Sequence, residues 1–90
     1  MADRIHLSVI SAEGVLLDKM VSYLTIPGAD GSVGILADHM PLLCAVKEGV
    51  AKCTFGENET LRFSVRDGIA SVADNEATFL VSGAKVLPDS

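Results

Sequence analysis

Tryptophan is absent from this chain, tyrosine occurs once and phenylalanine three times. Its core must therefore be mostly aliphatic. Basic residues are also scarce, with 7 Lys and Arg against 12 Asp and Glu and a formal net charge of −5. Neutralising phosphates needs a basic surface, so this balance disfavours binding to nucleic acid and adhesion to anionic lipid headgroups. No apolar run approaches the roughly 20 residues that cross a bilayer as a helix. The start, Met1-Ala2-Asp3-Arg4, has neither the basic opening nor the long apolar stretch of a signal peptide, so the chain is expected in the cytoplasm. It has only two cysteines, Cys44 and Cys53. A secreted domain this small usually carries a disulfide framework, so two thiols on expected strands read as reduced core residues. Long helical periodicity is missing as well. No extended window favours a 3.6-residue repeat with caps at both ends.

What is present is a folded, β-rich domain. The hydrophobic fraction of 49% and a mean hydropathy of +0.41 argue against disorder, and 90 residues make a single domain, 1–90, with a thin core. Period-two alternation runs through Ile5, Leu7 and Val9, through Leu61, Phe63 and Val65, and through Ala77, Phe79 and Val81. Turn signals recur at Glu13-Gly14, Pro27-Gly28, Asp30-Gly31, Glu48-Gly49, Gly56, Asp67-Gly68 and Asp74-Asn75, as in an all-β sandwich or barrel. Strands are expected near 4–10, 15–26, 32–36, 41–47, 50–55, 60–66, 69–73 and 77–83. A two-residue turn at Glu48-Gly49 would place Cys44 opposite Cys53. A three-residue turn with a bulge would shift that register by one. In the first register Leu42, Cys44 and Val46 share a wholly apolar face with Ala51, Cys53 and Phe55, which supports it, and free thiols are expected even there, because directly opposed strand Cβ atoms stand wider apart than a disulfide prefers.

The stretch from Ile26 to Val50 carries no recognisable catalytic or ligand-binding pattern. Asp38-His39 is the only adjacent acid–imidazole pair, but strand neighbours point to opposite faces and no nucleophile stands beside it. The better reading is a histidine hydrogen-bonded within a corner before Pro41. His6, His39, Cys44 and Cys53 lack metal-ligand spacing. The glycines Gly28, Gly31 and Gly34 precede a strand-like run rather than the helix that would receive a phosphate. Positive φ is expected at Gly28 and Gly31, and a close approach or bulge at Gly34. No pair of carboxylates is expected on one strand face. Neither a cofactor nor a metal is expected.

The same stretch carries a family resemblance. Pro27-Gly28, Asp30-Gly31, Gly34-Ile35-Leu36, His39-Met40-Pro41-Leu42-Leu43 and Lys47-Glu48-Gly49 resemble the N-terminal domain of the epsilon subunit of F-type rotary ATP synthases. The opening Ile5 to Gly14 and the later Asp67-Gly68-Ile69 and Ala77 to Val81 fit more loosely. The family often has a carboxylate or Gln in place of Ser32, Pro-Gly in place of Ala37-Asp38, and Ser-Gly-Gly in place of Arg66-Asp67-Gly68. The resemblance implies a two-sheet β-sandwich, or flattened barrel, of about ten short strands. It also implies a non-catalytic rotor subunit at the cytoplasmic face of the cell membrane, coupling the ring of c subunits to the gamma subunit. Asp30, Gly31, Ser32, Val33 and His39 are the expected ring-facing residues. Ser11, Leu42, Leu43 and Cys44 are the expected gamma-facing ones. Family members commonly continue into a helical hairpin that regulates ATP hydrolysis and in some members binds ATP. The sequence stops before it, so those two properties are expected to be missing. The alternatives are a β-sandwich adaptor for another protein and a small enzyme using Asp38-His39.

Overall fold

The computed structural model describes residues 4–28, 31–56 and 59–88. It contains β1 (Ile5–Ser11), β2 (Gly14–Val21), β3 (Tyr23–Gly28), β4 (Gly31–Leu36), β5 (Leu42–Val46), β6 (Gly49–Phe55), β7 (Glu59–Val65), β8 (Gly68–Ala73), β9 (Glu76–Val81) and β10 (Ala84–Val86). Hydrogen-bonded neighbours run β4-β3-β6-β7-β10 in one layer and β5-β8-β9-β1-β2 in the other. The two layers join at one corner, where Gly28 pairs with Val46. Across the opposite seam β10 approaches β1 and β2 without pairing. The result is the expected all-β sandwich, closed far enough to be a flattened barrel. All neighbours are antiparallel except β1 and β9, which run parallel from His6↔Glu76 to Ile10↔Leu80.

Alternation built this core. Ile5, Leu7 and Val9 of β1, Ala77, Phe79 and Val81 of β9, and Phe63 and Val65 of β7 all point between the layers and are buried, and no polar or charged residue is buried among the described residues. Phe63 and Phe79 come from opposite layers and meet edge to face, with centroids 5.7 Å apart and planes at 70°. That geometry is the preferred one for an aromatic pair, and it pins one sheet to the other at the centre.

Three expectations are corrected here. The single strand expected over 15–26 breaks at Ser22, whose backbone N–H and hydroxyl both donate to the Thr54 carbonyl, at 2.8 Å and 3.1 Å. That corner carries the chain from one layer to the other. The hairpin expected around Glu48-Gly49 does not form. β5 pairs with β8, placing Cys44 opposite Ala70, while β6 pairs with β3 and β7, placing Cys53 between Leu24 and Leu61. The cause is another crossing between layers. Lys47 N–H donates to the Pro27 carbonyl at 2.9 Å and Glu48 N–H to the Asp67 carboxylate at 3.1 Å, which splays the two strands apart. The apolar face expected of the hairpin is nonetheless real, with all six residues packed in the core from facing sheets. Both cysteines are free thiols, Cys53 buried and Cys44 half-buried. Finally, Gly31 has a φ of 115°, whereas Gly28 lies outside the left-handed region. Gly28 instead continues β3, paired with both Gly31 and Val46.

Candidate interaction surface

The strand ends fall into two groups. One end of the barrel carries the β1–β2 turn, the β3–β4 hairpin, and the corners at Lys47-Glu48, Arg66-Asp67 and Ser82-Gly83. The other carries Ser22, the segment from Ala37 to Pro41, and the hairpin tip at Asp74-Asn75. Gly31 and His39 therefore lie at opposite ends, separated by the length of β4. The expectation that both belong to one ring-facing end is corrected, because the structure does not bring them together. Asp30 lies outside the described residues. Gly31 and Ser32 are exposed, and Val33 is half-buried against the core.

At the other end, Asp38, Asp74 and Asn75 all take positive φ, at 64°, 52° and 61°. Asp and Asn tolerate this conformation best among residues with a Cβ. Asp74-Asn75 forms a tight two-residue hairpin between Ala73 and Glu76. Asn75 bonds Asp38 twice: its Nδ2 donates to Asp38 Oδ1 at 3.0 Å, and its Oδ1 accepts from Asp38 N–H at 2.5 Å. The His39 ring engages the Met40 carbonyl through Nδ1 at 2.7 Å. Asp38 and His39 thus have separate partners and form no catalytic dyad. His39 is hydrogen-bonded within the corner before Pro41, as expected.

One polar cluster has no counterpart among the sequence motifs. His6 lies opposite Glu76 on β9 and diagonal to Asp18 on β2. Its Nε2 is 2.5 Å from Asp18 Oδ1 and its Nδ1 is 3.6 Å from Glu76 Oε1. The hydrogen bond to Asp18 leads in raising the His6 pKa above its ordinary 6.5. Two carboxylates do share a strand face, contrary to expectation, because the parallel β1–β9 register that gathers them has no local signature. No group of three or more His, Cys, Asp or Glu is arranged to hold a metal among the described residues.

The largest feature of the outer surfaces is apolar. On the layer β5-β8-β9-β1-β2, the pairings Ala45↔Ile69, Ile69↔Leu80, Ile10↔Leu80 and Ile10↔Val15 set a continuous row across every strand. Val15, Ile69 and Leu80 are 65%, 47% and 50% exposed. Leu43, two residues from Ala45 on β5, is 71% exposed on the same face. Ser11 ends β1 beside this row, and its hydroxyl accepts from Glu13 N–H at 3.2 Å within the β1–β2 turn. Leu42 and Cys44 turn inward and pack on the core. So of the expected gamma-facing set Leu43 lies on this surface, Ser11 at its edge, and Leu42 and Cys44 line the interior. Sequence reasoning misses Ile10, Ile69 and Leu80, although Leu80 occupies a position that alternation assigns to solvent. The outer face of the other layer is different in kind. There Lys52 pairs with Arg62, Ser64 pairs with Lys85, and Gly34 sits beneath the Tyr23 ring.

Comparison with known proteins places this geometry. Residues 4–86 match the family model described as the ATP synthase delta/epsilon chain β-sandwich domain. An ATP synthase epsilon chain of Hyphomonas neptunium is 34% identical over 90 residues, covering all of this chain and 67% of that protein. That of Rhodospirillum centenum is also 34% identical, covering 97% of this chain and 61% of that protein. The chain thus spans roughly two thirds of the length of these curated relatives, by those same shares of 67% and 61%. A chain in the cryo-EM structure of the Euglena gracilis mitochondrial ATP synthase with its c-ring superposes with a TM-score of 0.89 at 19% identity, covering 96% of this chain and 55% of that one. A chain in the Tetrahymena thermophila mitochondrial ATP synthase central stalk and c-ring structure gives 0.75 at 18%, covering 90% of this chain and 65% of that one. These structural matches share its fold.

Proposed function

Because this chain belongs to the ATP synthase delta/epsilon chain β-sandwich family, we propose that it is a rotor part of the central stalk. In this role it sits peripherally at the cytoplasmic face of the cell membrane and couples c-ring rotation to the gamma subunit without performing catalysis. The observation that carries the reading is the apolar row on the outer face of β5-β8-β9-β1-β2. Contiguous exposed apolar surface marks interaction sites on soluble domains, and this row crosses a whole sheet held rigid by hydrogen bonds on every interior strand. A part that passes torque needs such a face, wide and stiff enough not to shear.

Gamma docks on this face, with Leu43 on it beside Ile69 and Leu80 and with Ser11 at its edge, at the end of β1. Leu42 and Cys44 act from beneath, by fixing β5 against the core. The ring-facing contact is Gly31-Ser32 with Val33 behind it, at the end of the barrel where β4 begins, and Asp30 is assigned to the same contact. His39, at the other end, serves the stalk side. The test is co-purification from membranes. Replacing Gly31-Ser32 with bulky residues should reduce recovery of the c-ring while leaving gamma bound and the chain folded. Full c-ring recovery with these replacements would remove Gly31-Ser32 from the ring contact. Failure of the unaltered chain to recover gamma would overturn the rotor assignment.

A further inference from the structure

At the seam between the layers, a cleft of about 330 Å³ opens between the β1–β2 turn, the end of β7 and the start of β10. Arg66, Lys85, Ser64 and Ser82 line it, with Glu13 as its one carboxylate. Arg66 is held in place by packing, since its stem crosses Gly83 so closely that a Cβ there would come within 3.3 Å of Cδ and 3.7 Å of Nε. The neighbouring acid does not neutralise it, because Asp67 accepts from Glu48 N–H on the far side of the corner. Among the described residues, neither the Arg66 guanidinium nor the Lys85 ammonium has a hydrogen-bond or ion-pair partner. In a chain of net charge −5, two unpaired cations lining one cleft beside the Ser82 hydroxyl are out of keeping with the whole.

We propose that this cleft binds a small oxyanion of the phosphate class. A volume near 300 Å³ is at the lower end for ligand sites, and the lining offers charge and hydroxyl donors rather than large apolar side chains. A planar guanidinium favours bidentate oxyanion contacts, and charge-assisted hydrogen bonds are the stronger kind. A phosphate group carries about −1.5 to −2 charge and three strong acceptors. It can use both cations and the Ser82 hydroxyl together, the Ser64 hydroxyl being given to the Lys85 carbonyl at 3.4 Å, whereas a lone carboxylate has two oxygens and one charge. Bound there, it would tie β10 of one layer to the β1–β2 turn of the other and close the seam.

The experiment is amide NMR of the intact chain, titrated in parallel with inorganic phosphate and with glycerol phosphate at constant ionic strength made up with chloride. Saturable shifts confined to Arg66, Ser82, Gly83, Ala84 and Lys85 are expected from at least one of the two. Saturation by inorganic phosphate identifies a free-ion site, and saturation by the ester alone identifies the headgroup of a larger metabolite. Arg66→Gln should weaken binding at least tenfold, Lys85→Gln should weaken it, and Glu13→Gln should strengthen it, each at an unchanged melting temperature. Non-saturating shifts from both anions, shifts that spread equally to Lys52, or an affinity indifferent to Arg66→Gln would overturn the proposal.

Discussion

Replacing Gly68 by alanine should damage this protein more than any other glycine-to-alanine change of comparable exposure. Gly68 pairs with Val81 at the start of β8, beside the Ile69↔Leu80 pair at the centre of the apolar row. A Cβ built on it would overlap the Leu80 carbonyl oxygen and lie 2.6 Å from Val81 Cα and 2.9 Å from Leu80 C. All three are backbone atoms, so relief requires moving β9 rather than rotating a side chain. Overpacking costs about 1–3 kcal/mol, and a backbone clash belongs near the top, at about 3 kcal/mol. A domain of 90 residues has a total stability of roughly 5–13 kcal/mol, so this is a large fraction. At about 4–8 °C per kcal/mol for a domain this size, the melting temperature should fall by about 12–24 °C. Gly34 is the control. A Cβ there would come within 2.5 Å of the Tyr23 hydroxyl, which is the far end of a side chain that can swing outward, so Gly34→Ala should cost less than about 1.5 kcal/mol. The assay is urea unfolding followed by far-UV circular dichroism, with unchanged m-values showing that only stability moved. A loss below about 1 kcal/mol for Gly68→Ala, or a larger loss for Gly34→Ala, would refute the reasoning about which neighbours can yield.

Three further outcomes are expected. Since the folded His6 pKa lies above its ordinary 6.5, its bond to Asp18 contributes stability fully below the unfolded value and loses it as pH rises through the folded value; ring NMR should show the midpoint moving down in Asp18→Asn. Asp38→Ala should cost about 1–2 kcal/mol through the left-handed backbone alone, and Asp38→Gly clearly less, with a double-mutant cycle to Asn75→Ala reporting the paired hydrogen bonds at about 1 kcal/mol. Ellman's reagent should modify Cys44 before Cys53, whose thiol is pushed up by burial, and two thiols should titrate after denaturation without reductant; equal rates or no thiols would contradict the packing.

Alternation alone makes the two layers legible in the sequence. Ile5, Leu7 and Val9 declare an inward face in five residues, and so do Phe63 and Val65. Registers between distant strands carry no such local mark. Glu48-Gly49 reads as a hairpin turn, and only contacts from Pro27 and Asp67, distant in sequence, make it a crossing between layers. For the same reason the cluster of His6, Asp18 and Glu76 has no trace in the sequence. It depends on a parallel pairing of the first strand with the ninth. The grouping of Gly31 with His39 fails on direction, since one strand carries the chain from end to end in six residues. The apolar row does have a local signal. Leu80 and Ile69 each sit beside an inward apolar neighbour, where alternation calls for a polar side chain, and such breaks are where a second buried face shows in sequence.

The central claim is that the outer face of β5-β8-β9-β1-β2 is the surface that meets gamma. Isothermal titration of the chain against its cognate gamma subunit tests it directly. Ile69→Lys and Leu80→Lys together should weaken binding by at least about 30-fold, as loss of a central apolar anchor does at about 2 kcal/mol or more, with folding intact because both side chains already face solvent. Lys52→Glu, on the outer face of the other layer, should leave the affinity unchanged. Unaltered binding by the Ile69 and Leu80 variant, or a loss of binding with Lys52→Glu, would contradict the account.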